Sequence, residues 1–167
     1  MTNDNNDANS VVIEREFKAP IDFIWKLWTD PEHFKAWYGP QGATIPVANF
    51  DVRVGGNRFV GMEMVTPNGP MRMWFTGEHR VVTKPEQLVY TESISDEQGN
   101  VQTPASMGMP EGHPTTTEVR VELTDRDTCT VMMLTHVGIP ADSPGAMGWN
   151  MAFDKLAEYL AATSDRA

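Results

Sequence analysis

The sequence has few of the residues from which metal sites, disulfides and phosphate cradles are built. Its single cysteine, Cys129, makes an intrachain disulfide impossible, and a buried, unreactive thiol is the simplest interpretation of it. The four histidines lie far apart, without the i, i+4 spacing of a helical metal site. No dinucleotide or nucleotide phosphate-binding glycine pattern and no nucleophile elbow occur. We therefore expect neither a metal nor a cofactor.

Basic residues are also scarce. The chain has 13 lysines and arginines against 23 aspartates and glutamates, for a net charge of -10. Such a chain repels phosphate backbones and anionic lipid headgroups, so we expect no nucleic-acid partner. No apolar run approaches the roughly 18 residues that cross a bilayer, and the polar start lacks the basic and apolar regions of a secretory signal. These absences predict a cytoplasmic protein without membrane insertion.

What the chain does have is enough length and apolar content for one domain. It contains 167 residues, of which 40% are hydrophobic, and a chain of this size buries a core without disulfide support. The acidic, polar start is typical of a disordered segment. We predict a single domain over residues 10–162, with a disordered tail at 1–9 and a short tail at 163–167.

Periodicity predicts the secondary structure along this domain. Apolar and polar residues alternate from Ser10 to Phe17, which predicts a strand. Two short helices follow. The first has its apolar residues on a single face, and the second begins at Asp30 and Pro31 and ends at Gly39. From Gly42 to Val137 the apolar period is two, with turn signals between the runs. Six further strands are predicted: Thr44 to Asp51, Arg58 to Val65, Met71 to Val82, Leu88 to Ser95, Thr116 to Thr124 and Thr130 to Val137.

The last predicted element is a long helix from about Pro144 to Ala162. Its apolar residues recur at positions i, i+4, i+7 and i+11 and form a stripe along one face. This stripe must pack against an apolar surface, and of the predicted elements only the sheet offers one that is large enough. The stripe consists of Trp149, Phe153, Leu156 and Leu160. The order of elements predicts an α+β fold in which the helix lies across an antiparallel sheet.

Several segments resemble a known superfamily in order and spacing: "FKAPIDFIWKLWTDPEHFKAWYGP", "DVRVGGNRFVGM", "GEHRVVTKPEQLVYTE", "THVGIP" and "SPGAMGWNMAFDKLAEYL". They are similar to the START-like, or SRPBCC, helix-grip superfamily, and within it to the branch of the C-terminal domain of the activator of the heat-shock-protein-90 ATPase. The segment "MGMPEGHPTTTEV" resembles a bacterial subgroup of that branch. The resemblance implies a curved seven-stranded antiparallel sheet that grips the C-terminal helix, with a cavity between them that often holds an apolar molecule.

The predicted cavity walls follow from the strand and helix faces together with this resemblance. In the predicted strand from Met71 to Val82, the odd-numbered positions are mostly apolar and are predicted to face inward, which leaves Trp74 facing outward. The chain has eleven methionines, whose flexible thioethers suit a variable apolar ligand but also suit an irregular core. The apolar residues predicted to line a ligand site are Met73, Phe75, Met132, Trp149 and Phe153.

Two histidines, His79 and His136, are predicted on the same inner walls. Either could orient a ligand or transfer a proton, and either could equally be a core histidine bonded to a neighbour. For Glu63 and Glu92 the solvent face is favoured over the cavity. The long connection from Gly99 to Thr116 is predicted to act as a gate.

Three functions remain open from the sequence. The first is a protein that binds an apolar or aromatic small molecule between the helix and the sheet. The second is a cyclase, dehydratase or hydrolase that uses a pocket histidine, and the third is a co-chaperone-like interaction module. A homodimer through Trp74 and the off-stripe Met147 and Met151 is a further expectation.

Overall fold

The structure is a computed structural model, and it describes residues 10–103, 114–139, 141 and 143–164. The predicted tail at 1–9, His113 and most of the predicted gate between Gly99 and Thr116 lie outside the described residues. Within the described part of the chain, no helix combines the length and the apolarity needed to cross a bilayer.

The elements follow the predicted order: strand, two short helices, six strands and a long helix. The helices are α1 (Ile21–Thr29), α2 (Pro31–Phe34) and α3 (Pro144–Ser164). The strands are β1 (Ser10–Phe17), β2 (Thr44–Phe50), β3 (Asn57–Thr66), β4 (Gly69–Thr83), β5 (Gln87–Ser95), β6 (Thr116–Asp125) and β7 (Thr130–Val137). They form one seven-stranded antiparallel sheet in the order β1-β7-β6-β5-β4-β3-β2. The predicted fold class is confirmed.

The second short helix begins at the predicted residues but ends at Phe34 and not at the predicted Gly39. Pro20 is the N-cap residue of α1, and its carbonyl accepts from the N–H groups of Phe23 and Ile24. The Asp30 side chain caps α2 by accepting from the N–H of Glu32 at 3.0 Å, and Pro31 opens the helix. α2 is only one turn long, so its stability depends on the packing of its buried Phe34.

The C-terminal helix buries its predicted stripe against the sheet. The buried residues of α3 are Ala146, Trp149, Ala152, Phe153, Leu156 and Leu160, and they belong to the same core cluster as the inner residues of the strands. Polar contacts also hold the helix, among them those of Asp154 and Lys155. Arg15 of β1 pairs with Asp154 at 2.7 Å, and Lys155 donates to the carbonyls of Tyr38 and Pro40.

The inner face of β4 is the one predicted from its odd positions. Met73 pairs with Met62, and Phe75 with Val60, on the core side. Trp74 lies on the outer face, where its ring stacks on Phe59 with centroids 5.5 Å apart and covers Gly61. Gly61 has no side chain for a physical reason: an added Cβ would lie 2.4 Å from the Trp74 ring.

Candidate functional site

A buried ion pair crosses the inner face of the sheet. Arg58 of β3 and Glu92 of β5 are 2% and 9% exposed, and their charged ends lie 3.7 Å apart. Gly77 of β4 pairs with Arg58, and an added Cβ there would lie 1.8 Å from the Thr91 carbonyl oxygen. The Tyr38 hydroxyl donates to Oε2 of Glu92 at 3.2 Å. The expectation that Glu92 faces solvent is wrong, whereas Glu63 is partly exposed and pairs with Arg72 at the surface.

Aromatic rings surround the guanidinium of this pair. Its central carbon lies 3.7 Å from the ring centroid of Tyr90, 5.0 Å from that of Phe50 and 5.5 Å from that of Phe34. Ring faces stabilise a buried cation but accept hydrogen bonds poorly. Among the described residues, the Glu92 carboxylate is the one polar group paired with Arg58.

Two tyrosines belong to this cluster as hydrogen-bond donors. Burial is the main cause that raises the pKa of Tyr38, and the neighbouring Glu92 charge raises it further. Burial likewise raises the pKa of Tyr90. Both phenols therefore keep their protons at neutral pH. Within the described part of the chain, the buried Tyr90 hydroxyl has no hydrogen-bond partner.

His136 occupies the centre of a directional hydrogen-bond chain. The indole N–H of Trp149 donates to its Nδ1 at 2.9 Å, and its Nε2 lies 2.8 Å from the Thr117 hydroxyl. Because an indole can only donate, Nδ1 must accept, and the proton of the neutral ring is on Nε2. The Thr117 hydroxyl then accepts a hydrogen bond from the Nε2–H of His136 and donates one to the Glu92 backbone carbonyl at 3.2 Å.

Burial also determines the charge of His136. Burial lowers its pKa, and the Glu92 carboxylate, 4.0 Å away, opposes that shift only in part. The ring is therefore neutral at pH 7, with both nitrogens bonded to protein groups. A histidine held in this way orients its neighbours and has no free nitrogen for proton transfer to a ligand.

His79 lies elsewhere and holds a turn. Its Nδ1 is 3.2 Å from the Gly56 carbonyl, which also accepts from the His79 backbone N–H, and Gly55 donates back to the His79 carbonyl. Burial, followed by the Arg58 charge, lowers the pKa of His79. The structure thus joins His136 to Trp149 and keeps His79 at the β2–β3 turn.

The part of the wedge around Trp149 is filled by side chains. Trp28 and Tyr38 from the first half of the chain pack against Trp149, with ring centroids 5.9 and 5.8 Å away, and Phe153 packs at 5.5 Å. The Trp28 N–H donates to the sulfur of Met132 at 3.3 Å. Met132 and Phe153 have no exposed surface. These predicted wall residues therefore lie in a packed aromatic core.

Met73 and Phe75 lie in a different part of the inner face, which we call the methionine patch. Its members share the inner face of β3, β4 and β5, and most of them are only half-buried: Met62, Met64, Met71, Met73, Phe75 and Ile94. The patch begins four residues along β3 from Arg58 and two residues along β5 from Glu92, which are steps of about 13 Å and about 7 Å along a strand. An apolar surface and a polar cluster thus adjoin on one face.

A groove of about 490 Å³ opens on the other side of Arg58, along β2 and β3. It is lined by Pro31, Ala48, Asn49, Phe50, Asp51, Asn57, Arg58 and Phe59. This lining is more polar than the methionine patch and opens to solvent at the edge of the sheet. Among the described residues, no group of three or more histidine, cysteine or acidic side chains could hold a metal.

The sequence did not identify Arg58 and Tyr90 as site residues. Arg58 directly follows the "VGGN" turn, where a polar residue at the start of a strand is ordinary. The available signal was its register, since positions 58, 60 and 62 share one face with Val60 and Met62. An arginine on an otherwise apolar face calls for a buried partner.

Comparisons with known proteins agree with this architecture. The model of the family of activator of Hsp90 ATPase homolog 1-like proteins matches residues 18–161, which confirms the resemblance seen in the sequence motifs. No curated protein matches the sequence.

Solved bacterial structures share the fold. Protein Ms6760 from Mycobacterium smegmatis is 22% identical, with a TM-score of 0.74 over 92% of this chain and 91% of that one. Protein NE0264 from Nitrosomonas europaea is 19% identical, with a TM-score of 0.72 over 95% and 97% of the two chains. The AHSA1 protein from Silicibacter pomeroyi is 21% identical, with a TM-score of 0.71 over 92% and 99%.

Proposed function

Because this chain belongs to the family of activator of Hsp90 ATPase homolog 1-like proteins, we propose that it binds an apolar or aromatic small molecule on the inner face of its sheet. The observation that carries the proposal is the methionine patch. Met64, Met73, Phe75 and Ile94 face the core side and are still only half-buried. Thioethers and a phenyl ring form an adaptable apolar wall for a ligand of variable shape.

The proposal moves the ligand away from the place that the helix stripe indicated. The space beside Trp149 and Phe153 is occupied by aromatic side chains from α1 and the segment after α2. A ligand on the patch would instead contact Met73 and Phe75 along β4. Trp149 and His136 then act as the packed support behind it.

The first experiment is native mass spectrometry of the full chain purified without denaturation. A mass excess that is released on unfolding supports the proposal and identifies the occupant. The second is equilibrium dialysis with 2-isopropenylnaphthalene, an uncharged apolar probe. We expect Phe75→Ala and Met73→Ala to weaken binding of the probe by about tenfold each, since each removes apolar contact area worth roughly 1.5 kcal/mol.

Val65→Ala is the matched control, because Val65 lies on β3 near the patch but is 84% exposed. It should leave the affinity unchanged. A protein with no occupant and no measurable affinity for the probe would contradict the proposal. Equal losses for Val65→Ala and Phe75→Ala would show that the probe does not bind on the patch.

A further inference from the structure

We infer that Arg58 and Tyr90 form the polar end of the ligand site and bind an uncharged oxygen acceptor, such as a carbonyl, on the apolar molecule. The inference rests on the proposed function and specifies the chemical class of its ligand. It starts from two buried donors. Arg58 has one polar partner among the described residues, and Tyr90 has none for its hydroxyl.

The two donors belong to one place in the molecule. The guanidinium lies over the Tyr90 ring, with its central carbon 3.7 Å from the ring centroid. The rings of Phe34 and Phe50 also lie beside the guanidinium, and they accept no strong hydrogen bond. Arg58 also contributes to the wall of the groove along β2 and β3, which puts this arginine between the groove and the methionine patch.

A buried donor without a partner is costly, and the Tyr90 hydroxyl is such a donor. The Glu92 carboxylate at 3.7 Å balances the charge but lies beyond hydrogen-bond distance. A ligand oxygen beside the guanidinium would supply the missing acceptor. Such sites reject analogues that lack the acceptor, because the donors are then left unpaired.

Charge balance selects the kind of acceptor. Arg58 and Glu92 already neutralise each other, and the Tyr38 hydroxyl donates a hydrogen bond to the same carboxylate. A ligand carboxylate would bring a second negative charge into the buried cluster beside Glu92, where the described residues offer no second cation to pair it. A carbonyl oxygen accepts from the same donors without this penalty.

The test compares three probes of nearly equal size by equilibrium dialysis against the full chain at pH 7. They are 2-acetylnaphthalene, its hydrocarbon counterpart 2-isopropenylnaphthalene and the anion 2-naphthoate. We expect the ketone to bind at least tenfold more tightly than either of the other two, which corresponds to one hydrogen bond from a charged donor. Equal affinities for the ketone and the hydrocarbon would overturn the inference while the proposed function stands.

Tight binding of the naphthoate would also overturn it, because the cluster would then accept a charge. If none of the three probes binds up to its solubility limit, the proposed function fails, and this inference falls with it. The probe set therefore distinguishes the two failures.

Variants locate the effect. Tyr90→Phe removes only the unpartnered hydroxyl, so the free protein should unfold at the same or a higher urea concentration, while the preference for the ketone decreases several-fold. Tyr159→Phe is the control, since it deletes a hydroxyl that bonds to His33 at 2.8 Å, outside the cluster. A ketone preference unchanged in Tyr90→Phe would exclude Tyr90 from the polar end.

Discussion

The indole N–H of Trp149 donates to Nδ1 of His136 at 2.9 Å, so the C-terminal helix fixes the tautomer of a histidine on the sheet. The bond joins two residues that the sequence analysis placed independently on facing walls. It also gives Trp149 a polar role that its place in an apolar stripe did not indicate.

Trp149→Phe should destabilise the protein by about 1–3 kcal/mol, because it keeps an aromatic side chain but leaves a buried nitrogen of His136 without a donor. Urea unfolding measures the loss. Trp74→Phe on the outer face is the control and should cost less, since Trp74 contributes stacking and makes no such bond to the described residues. Equal losses for the two variants would show that the hydrogen bond contributes nothing.

The free energy of unfolding should fall as the pH drops below about 6.5, the ordinary pKa of histidine. The pKa of His136 is lower in the folded protein than in the unfolded chain, chiefly because of burial. The unfolded chain therefore binds the proton first, so this contribution is complete above pH 6.5 and is lost as the pH falls.

Urea unfolding between pH 5 and pH 7.5 measures that dependence. His136→Gln should have a shallower slope than the wild type over this range. Trp74→Phe, which changes an aromatic side chain on the outer face and no titratable group, should keep the wild-type slope. Parallel curves for the wild type and His136→Gln would contradict the assignment.

Breaking the buried pair should be strongly destabilising. Arg58→Met and Glu92→Gln each leave a buried partner uncompensated, and we expect Arg58→Met to cost about 3–5 kcal/mol. The double variant should be more stable than the sum of the single losses predicts, by about 0.5–3 kcal/mol. A double-mutant cycle in urea gives this coupling. Strict additivity would mean that the 3.7 Å approach carries no interaction.

Gly61→Val should cost about 1–3 kcal/mol, because its side chain would collide with the Trp74 ring. Trp74→Thr in the same background should recover most of the loss by removing the obstacle. Gly148→Ala is the contrasting change: an added Cβ there meets nothing within 4 Å, and the helix should gain up to about 1 kcal/mol. Thermal unfolding of the wild type, Gly61→Val, the double variant and Gly148→Ala checks all three expectations.

Much of the fold could be predicted because it depends on local, periodic features. The apolar period of two from Thr44 to Val137 predicts strands, and Asp30 with Pro31 predicts a helix start wherever the chain lies in space. The outward position of Trp74 followed from the same alternation. Each of these features depends on a few neighbouring residues, so each could be predicted from the sequence.

The site was less predictable because its residues are far apart in the chain. The stripe of α3 indicated a cavity beside Trp149 and Phe153, but Trp28 and Tyr38 fill that space. Periodicity shows which face of an element a residue occupies, but it cannot show which side chains from other elements pack against that face. For the same reason Glu92 was expected at the surface, although its partner Arg58 is 34 residues away on the same inner face.

The sequence alone determined most of the elements, their order and the inner face of β4, and these properties follow from local propensity and from the period of apolar residues. The resemblance to the helix-grip family came from the order and spacing of the motifs. Only the tertiary structure decided that Arg58, Glu92, Tyr38 and Tyr90 meet, and that the half-buried apolar surface lies at Met73 and Phe75. The reason is that burial and ion pairing depend on which side chains fill the space between helix and sheet, and that space exists only once the whole sheet has closed on the helix.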